Sequence, residues 1–365
     1  MLKLLYPHFY EPMSPARHLP RDAQMSGERH AWVDLAKGIG IILVVYGHIA
    51  RGVYHASLNI GTQLFTVEDS VIYSFHMPLF FFLSGLFIHS SFITYGAGGL
   101  AFRKLCTIFY PYVVWSLLQG FIEVALSDYT NGKARAEDVL VLLWVPRAQF
   151  WFLYSLFLMF IAVAGCRSLL GPKGDYLFLG ASIMCYAYQD EFPSYVSRLF
   201  VMQYLVYFSA GLILGERAKM PRMEKGTVLP ILGFFLFAST QYLFHFEFGL
   251  LCNPNQTRWC ILVAAVSIWF VSVLSQSIPG LKFRWLSYIG EHALYIFLMH
   301  TIAGSGTRIF LHKVFGVESV PVHLITGTVV GLFLPLLVVH WSHRISLTWL
   351  FYPPGQPGRQ ESGQL

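Results

Sequence analysis

The amino-acid sequence predicts an all-α, polytopic integral membrane protein with about ten transmembrane helices and no separate soluble domain. Of its 365 residues, 55% are hydrophobic and only 12% are charged. A typical soluble domain carries about 25% charged residues. The apolar residues are grouped in long segments, several of which approach the roughly 20 residues that a helix needs to cross a bilayer.

The apolar segments are taken as helices in chain order. They predict helices at about residues 32–52, 70–93, 105–126, 149–166, 175–189, 199–215, 227–245, 259–278, 285–304 and 323–343. We expect a polar loop containing Glu68 and Asp69 between the first two helices. Pro78 should kink the second, because its ring removes a backbone hydrogen bond.

The distribution of charge predicts the orientation of these helices. With the N-terminus inside and ten crossings, the inner side holds 17 of the 25 Lys and Arg residues and the outer side holds 8. This bias favours cytoplasmic termini, and it explains the net charge of +6 better than nucleic-acid binding does. The first 30 residues lack an adequate apolar h-region, so we expect no cleaved signal peptide.

Three domains follow from this organisation. Residues 1–30 are expected to form a basic cytoplasmic tail, 31–345 the transmembrane domain, and 346–365 a disordered cytoplasmic tail rich in Pro, Gly and Gln.

The first helix carries an unusual set of ionisable residues within an apolar run. Lys37 and His48 are eleven residues apart, close to three helical turns, so they share one face about 16 Å apart along the axis. Asp34 lies three residues before Lys37, within reach of an ion pair. Ionisable groups inside membrane segments are costly and usually functional. The alternative is that Lys37 extends to the lipid headgroups while pairing with Asp34.

Two further histidines are expected at a depth similar to that of His48. His76 lies in the second helix and His300 in the ninth, both towards the predicted outer face. The three imidazoles could line one cavity, where a neutral imidazole acts as a general base. The alternative for each is a structural interhelical hydrogen bond. Together with Asp34, these histidines are our candidate catalytic residues.

The candidate donor-binding residues are Lys37, helped by Arg29, together with Trp151 and Tyr154 of the aromatic run that opens the fourth helix. For that run, an interfacial aromatic belt is the default alternative. No ligand spacing predicts a metal site. Cys252 and Cys260 flank a predicted outer loop, and the sequence leaves open whether they form a disulfide.

Several motifs resemble one family of membrane enzymes. Lys37 followed after ten residues by His48 resembles the Arg/Lys-X10-His signature of the acyltransferase-3 family. Five further matches follow the same order as in that family: Asp34-Leu-Ala-Lys-Gly-Ile, Phe75-His-Met-Pro-Leu-Phe-Phe-Phe-Leu-Ser-Gly, Tyr110-Pro-Tyr, Phe150-Trp-Phe-Leu-Tyr, and Ile289-Gly followed by Leu294-Tyr-Ile-Phe-Leu-Met-His. The chain is most similar to the branch that includes fucose and exopolysaccharide O-acetyltransferases. The family's frequent Arg is Lys37 here, which keeps the charge but loses the bidentate fork.

The resemblance implies transfer of an acetyl group from cytoplasmic acetyl-CoA, a donor substrate rather than a bound cofactor, to a sugar hydroxyl. It implies a bacterial inner membrane location and an acceptor that is an exopolysaccharide, a cell-surface sugar or a lipid-linked oligosaccharide precursor. Membrane lipids and polysaccharide assembly machinery are the expected further partners, and nucleic acid is not.

Two other functions remain open at this point. A transporter or flippase would use the same intramembrane His and Asp residues as a proton relay. A purely structural membrane subunit of a polysaccharide export assembly is the third interpretation.

Overall fold

The structure, a computed structural model, confirms the all-α class. It describes residues 22–56, 58, 60–127, 135–192, 202–216, 228–252, 258–278, 283–342 and 344–354, with side chains from residue 31 onward. No strand occurs in these ranges. The α-helices are α1 (Asp22–His55), α2 (Thr62–Tyr73), α3 (His76–Gly85), α4 (Ile88–Lys104), α5 (Tyr110–Ala125), α6 (Ala136–Leu140), α7 (Trp151–Leu170), α8 (Lys173–Ala187), α9 (Met202–Glu216), α10 (Val228–Tyr242), α11 (Cys260–Ser277), α12 (Arg284–Glu291), α13 (Ala293–Ile309) and α14 (Val320–Ser342).

Seven helical runs in the described part of the chain are long and apolar enough to cross a membrane. They are 31–55, 88–125, 148–170, 228–247, 260–277, 293–314 and 320–342, and 202–215 is a shorter apolar helix. Each of the ten predicted segments contains helix. The second predicted segment is broken into separate helices, and the fifth and sixth contain helices too short to be candidate spans.

The predicted second helix is wrong as a single kinked segment. The chain forms α2, breaks at Ser74 and Phe75, and restarts as α3 at His76. Pro78 therefore lies in the first turn of α3, where no backbone N–H is needed, instead of kinking a helix interior. The predicted polar loop is also wrong at its end, because Glu68 and Asp69 lie in α2.

Helix α1 is the centre of the molecule. It packs against α2, α3, α11, α12, α13 and α14, and its apolar segment is the most buried of the seven candidate spans. Glycines allow the closest contacts. A side chain on Gly38 would collide with the backbone carbonyl of Leu286, and one on Gly290 with that of Asp34. The Lys37 end of α1 is thus held directly against α12.

Both predicted tails contain ordered structure. Helix α1 begins at Asp22, inside the segment assigned to the N-terminal tail. Near the C-terminus, the Trp115 indole donates to the Leu350 carbonyl at 2.8 Å, and the Tyr295 and Tyr352 hydroxyls are 2.6 Å apart. Residues up to 352 therefore pack on α5 and α13, while 355–365 lie outside the described residues.

Candidate functional site

Lys37 and His48 lie in one unbroken helix, as the spacing predicts. The Lys37 Nζ is 3.2 Å from Asp34 Oδ1, and the two side chains are 28% and 18% exposed. This ion pair lies three turns from His48, at the end of α1 that contacts α12. Asp34, predicted as catalytic, therefore lies beside Lys37 and is not brought to the histidines.

The histidines of α1, α3 and α13 form a cluster. The ring centroids of His48 and His300 are 5.0 Å apart. The Tyr73 ring lies between His48 and His76, at 6.4 Å from the first and 4.4 Å from the second. His76 and His300 are almost fully buried, whereas His48 is half-buried. The predicted convergence of three imidazoles is therefore present in the structure, although their chemical role stays a prediction.

Backbone carbonyls fix the orientation of two of these rings. His76 Nδ1 lies 2.7 Å from the Ile72 carbonyl oxygen, and His300 Nδ1 lies 2.8 Å from that of Phe297. A carbonyl only accepts, so Nδ1 carries the proton and Nε2 keeps its lone pair. Nε2 of His76 is buried without a hydrogen-bond partner. Neither nitrogen of His48 is hydrogen-bonded within the described part of the chain, so its imidazole is available to a substrate.

Paired charges lie beside this cluster, and sequence reasoning missed them. Arg51 binds both carboxylate oxygens of Asp69, at 2.6 and 2.8 Å, and its guanidinium lies 3.2 Å from the centroid of the Tyr73 ring. The Tyr46 hydroxyl donates to Glu68. The available signal was an arginine three residues after His48, followed by adjacent carboxylates at 68 and 69. Assigning those carboxylates to a loop concealed it.

Aromatic contacts link Trp151 of α7, a predicted donor residue, to residues beside the histidine cluster. Trp151 stacks on Tyr204 with centroids 5.4 Å apart, and Tyr204 is within electrostatic range of Arg51. The Tyr154 hydroxyl donates to the Leu143 carbonyl at 3.0 Å, which ties it to the segment between α6 and α7. The side chain of Arg29 lies outside the described residues.

A disulfide lies at the same end of the molecule as the histidines. It joins Cys252 and Cys260, a pairing that the sequence left open. The Ser70 hydroxyl lies 2.8 Å from His245 Nε2 and accepts the backbone N–H of Cys252 at 2.7 Å. Since Ser70 lies in α2, only three residues before Tyr73, the disulfide loop is tied to the helix that borders the cluster.

The described residues contain no group of three His, Cys, Asp or Glu side chains that could hold a metal ion. The cluster instead combines free imidazole nitrogens, a tyrosine ring and paired charges within an apolar bundle. That arrangement can accept a proton from a polar substrate in a site partly shielded from water.

Comparison with known proteins identifies the family of this helical bundle. A family model described as an acyltransferase domain matches residues 30–340, which is most of the chain. The chain therefore belongs to the acyltransferase-3 family. It is 30% identical over 138 residues to the nodulation protein NolL of Mesorhizobium japonicum. That match spans 36% of this chain and 34% of NolL, so about a third of each protein is compared. No solved structure gave a significant match.

Proposed function

We propose that this acyltransferase is an O-acetyltransferase that moves an acetyl group from cytoplasmic acetyl-CoA to a sugar hydroxyl. The acceptor would be an exopolysaccharide, another surface glycan or its lipid-linked precursor. The observation that carries the proposal is the arrangement of α1, with a cation at one end and an unbonded imidazole three turns away within a histidine cluster.

The disulfide supports a cytoplasmic position for the Lys37 end. Disulfides persist in oxidising compartments outside the cytoplasm. The Cys252–Cys260 bridge is tied through Ser70 to α2, which packs beside the His48 end of α1. Lys37 lies at the opposite end, where the phosphates of acetyl-CoA would meet it. This orientation agrees with the Lys and Arg count, and both support the proposal that the termini are cytoplasmic.

The reaction would use His48 as the general base. Its imidazole takes the proton of the sugar hydroxyl while the hydroxyl oxygen attacks the thioester carbonyl carbon. The carbon–sulfur bond then breaks, the acetyl ester forms, and the imidazolium returns its proton to the departing CoA thiolate. His300, whose ring lies against His48, would hold the base in place through its backbone-anchored orientation.

Reconstitution of the full-length protein in proteoliposomes tests the proposal. Radiolabelled acetyl-CoA is supplied at one face with a panel of defined methyl glycosides at the other, and acetyl esters are identified by mass spectrometry. We expect transfer by the parent and strongly reduced transfer by His48→Gln. Glycoside transport without acetylation would instead establish the transporter interpretation. A protein that leaves both acetyl-CoA and glycosides unchanged would contradict the proposed reaction.

A further inference from the structure

Arg308 is a buried cation with no charged partner among the residues that the structure describes. It lies in α13 and is 9% exposed, and its Nε makes no hydrogen bond. No hydrogen bond or ion pair joins it to any described residue. The other buried arginine, Arg167, differs in this respect, because it lies 2.7 Å from the carboxylate of Asp175. Arg308 is thus the one buried arginine, among the described residues, that lacks a carboxylate.

An unpaired cation in this position is unfavourable for folding. Removing a charge from water is costly, and such residues in membrane segments are usually paired or functional. The described protein neighbours of Arg308 do not offset this cost. An anionic group supplied by a ligand would do so, because a guanidinium binds carboxylate or phosphate through two parallel hydrogen bonds.

The position of Arg308 relates it to the histidine cluster. A Cβ built on Gly52 would lie 3.8 Å from its Nε, so the guanidinium is against α1. Gly52 follows His48 by four residues, which is about one turn or 6 Å along the axis. The contact of Gly304 with Ile49 brings α13 against α1 on the approach to this point. An anion held by Arg308 would therefore lie about one sugar ring from the proposed base.

We infer that Arg308 binds an anionic group on the acceptor, one helical turn beyond His48 on the side away from Lys37. The inference rests on the proposed function and adds that the acceptor is charged. The same chemistry has two sources: the carboxylate of an acidic sugar, and the diphosphate that links a sugar to a polyprenyl lipid. Arg51 is not assigned this role, because Asp69 already neutralises its charge through two hydrogen bonds.

Equilibrium binding to the full-length protein in phosphatidylcholine nanodiscs tests the inference. Two radiolabelled probe pairs separate the sources: methyl glucuronide against methyl glucoside, and decaprenyl diphosphate against decaprenol. We expect one anionic probe to bind about 10- to 100-fold more tightly than its neutral partner, the range for a charge-assisted contact. Arg308→Gln should remove that preference and Arg308→Lys should keep part of it.

Lys313→Gln is the matched control, since it removes the same charge from an exposed residue near the end of the same helical run. It should bind both probe pairs like the parent. Arg308→Gln should also melt at or above the parental temperature, because it removes an uncompensated charge. A lower melting temperature with unchanged binding would overturn the inference and make Arg308 a structural residue. The inference would also be overturned if the preference for the anionic probe appeared only when phosphatidylglycerol is added to the nanodiscs.

The binding assay needs no turnover, so its failure is distinct from failure of the proposed function. Arg308-dependent anion binding without any acetyl transfer would support the anion site and contradict the O-acetyltransferase. Equal acetyl transfer to neutral and anionic glycosides by the parent and by Arg308→Gln would overturn the anion site and support the O-acetyltransferase.

Discussion

The two ends of α1 differ in how their ionisable groups are neutralised. At one end Lys37 pairs with Asp34 of the same helix, and glycines bring α12 into direct contact. At the other, Arg51 pairs with Asp69 of a different helix, while the imidazoles of His48, His76 and His300 bind no carboxylate of the described residues.

This difference separates two kinds of chemistry. A fixed positive charge suits binding of an anionic donor, because a cation attracts phosphate without having to change its protonation state. A neutral imidazole with a free nitrogen suits proton transfer, which a tightly bound carboxylate would hinder. In the proposed reaction, one helix would separate charge recognition from acid–base chemistry by about three turns.

The largest expected effect is at His48. His48→Gln keeps some hydrogen-bonding capacity but supplies no base, so acetyl transfer should fall by about 10²- to 10⁴-fold. Acetyl-CoA binding should change little, because the proposed site for the donor's charged end is Lys37, about three turns away. Single-turnover kinetics with the proteoliposomes, together with donor binding, would measure both quantities.

His76→Gln is the comparison variant for His48, since its ring belongs to the same cluster but is anchored to a backbone carbonyl and buried. It should retain more activity than His48→Gln. If His48→Gln transfers acetyl at the parental rate, the base must be sought at His76 or His300.

The second-largest effect is expected at Lys37, at the opposite end of α1. Lys37→Ala should weaken acetyl-CoA binding by about 10- to 100-fold through loss of a charge-assisted contact, and Lys37→Arg should retain much of the affinity. Equilibrium dialysis with labelled acetyl-CoA measures this directly. Arg103→Ala, which removes an exposed cation elsewhere, is the control. Unchanged donor affinity in a folded Lys37→Ala protein would reduce Lys37 to a headgroup-contacting residue.

The sequence predicted that Lys37 and His48 would lie on one helix about three turns apart, because helical spacing alone relates them. It also predicted that His48, His76 and His300 could line one cavity, because polar side chains at similar depth on separate membrane helices avoid the lipid and face the interior of the bundle. It did not predict the partner of Arg51, because that depends on where α2 begins. Hydropathy places the start of the second helix at residue 70, whereas the polar residues before it form two further helical turns.

Helix breaks were the other limit of prediction. The predicted helices run through Ser74–Phe75 and through His292, yet the helices of the structure stop at both points. Gly96 similarly bends α4 with a φ of 64°, a conformation that glycine adopts readily. Arg308 was counted only as an outer positive charge, because burial and lack of a partner are properties of the packed structure.

A smaller effect is expected at the ion pair of the His48 end. Asp69→Asn should lower the free energy of unfolding by about 1 kcal/mol, since both side chains are partly exposed and solvent screens the pair. Thermal denaturation of Asp69→Asn, Arg51→Gln and the double variant gives the coupling between the two residues. If the losses of stability in the two single variants add up to the loss in the double variant, the bidentate contact does not stabilise the protein.

The smallest effect on catalysis is expected from removing the disulfide, and the same variant tests which end of α1 faces the cytoplasm. Ser70 accepts the backbone N–H of Cys252, so Cys252→Ser should keep the loop attached to α2, and acetyl transfer should remain close to parental. Stability should fall by about 2.5 kcal/mol, the loop-closure value for a short loop.

In a variant whose free cysteines Cys106, Cys166 and Cys185 are replaced by alanine, a membrane-impermeant maleimide applied to intact cells should label Cys252 and Cys260 only after reduction. Labelling confined to inverted vesicles would place the disulfide end in the cytoplasm. The Lys37 end would then face outwards, and cytoplasmic acetyl-CoA could not be the ligand of Lys37.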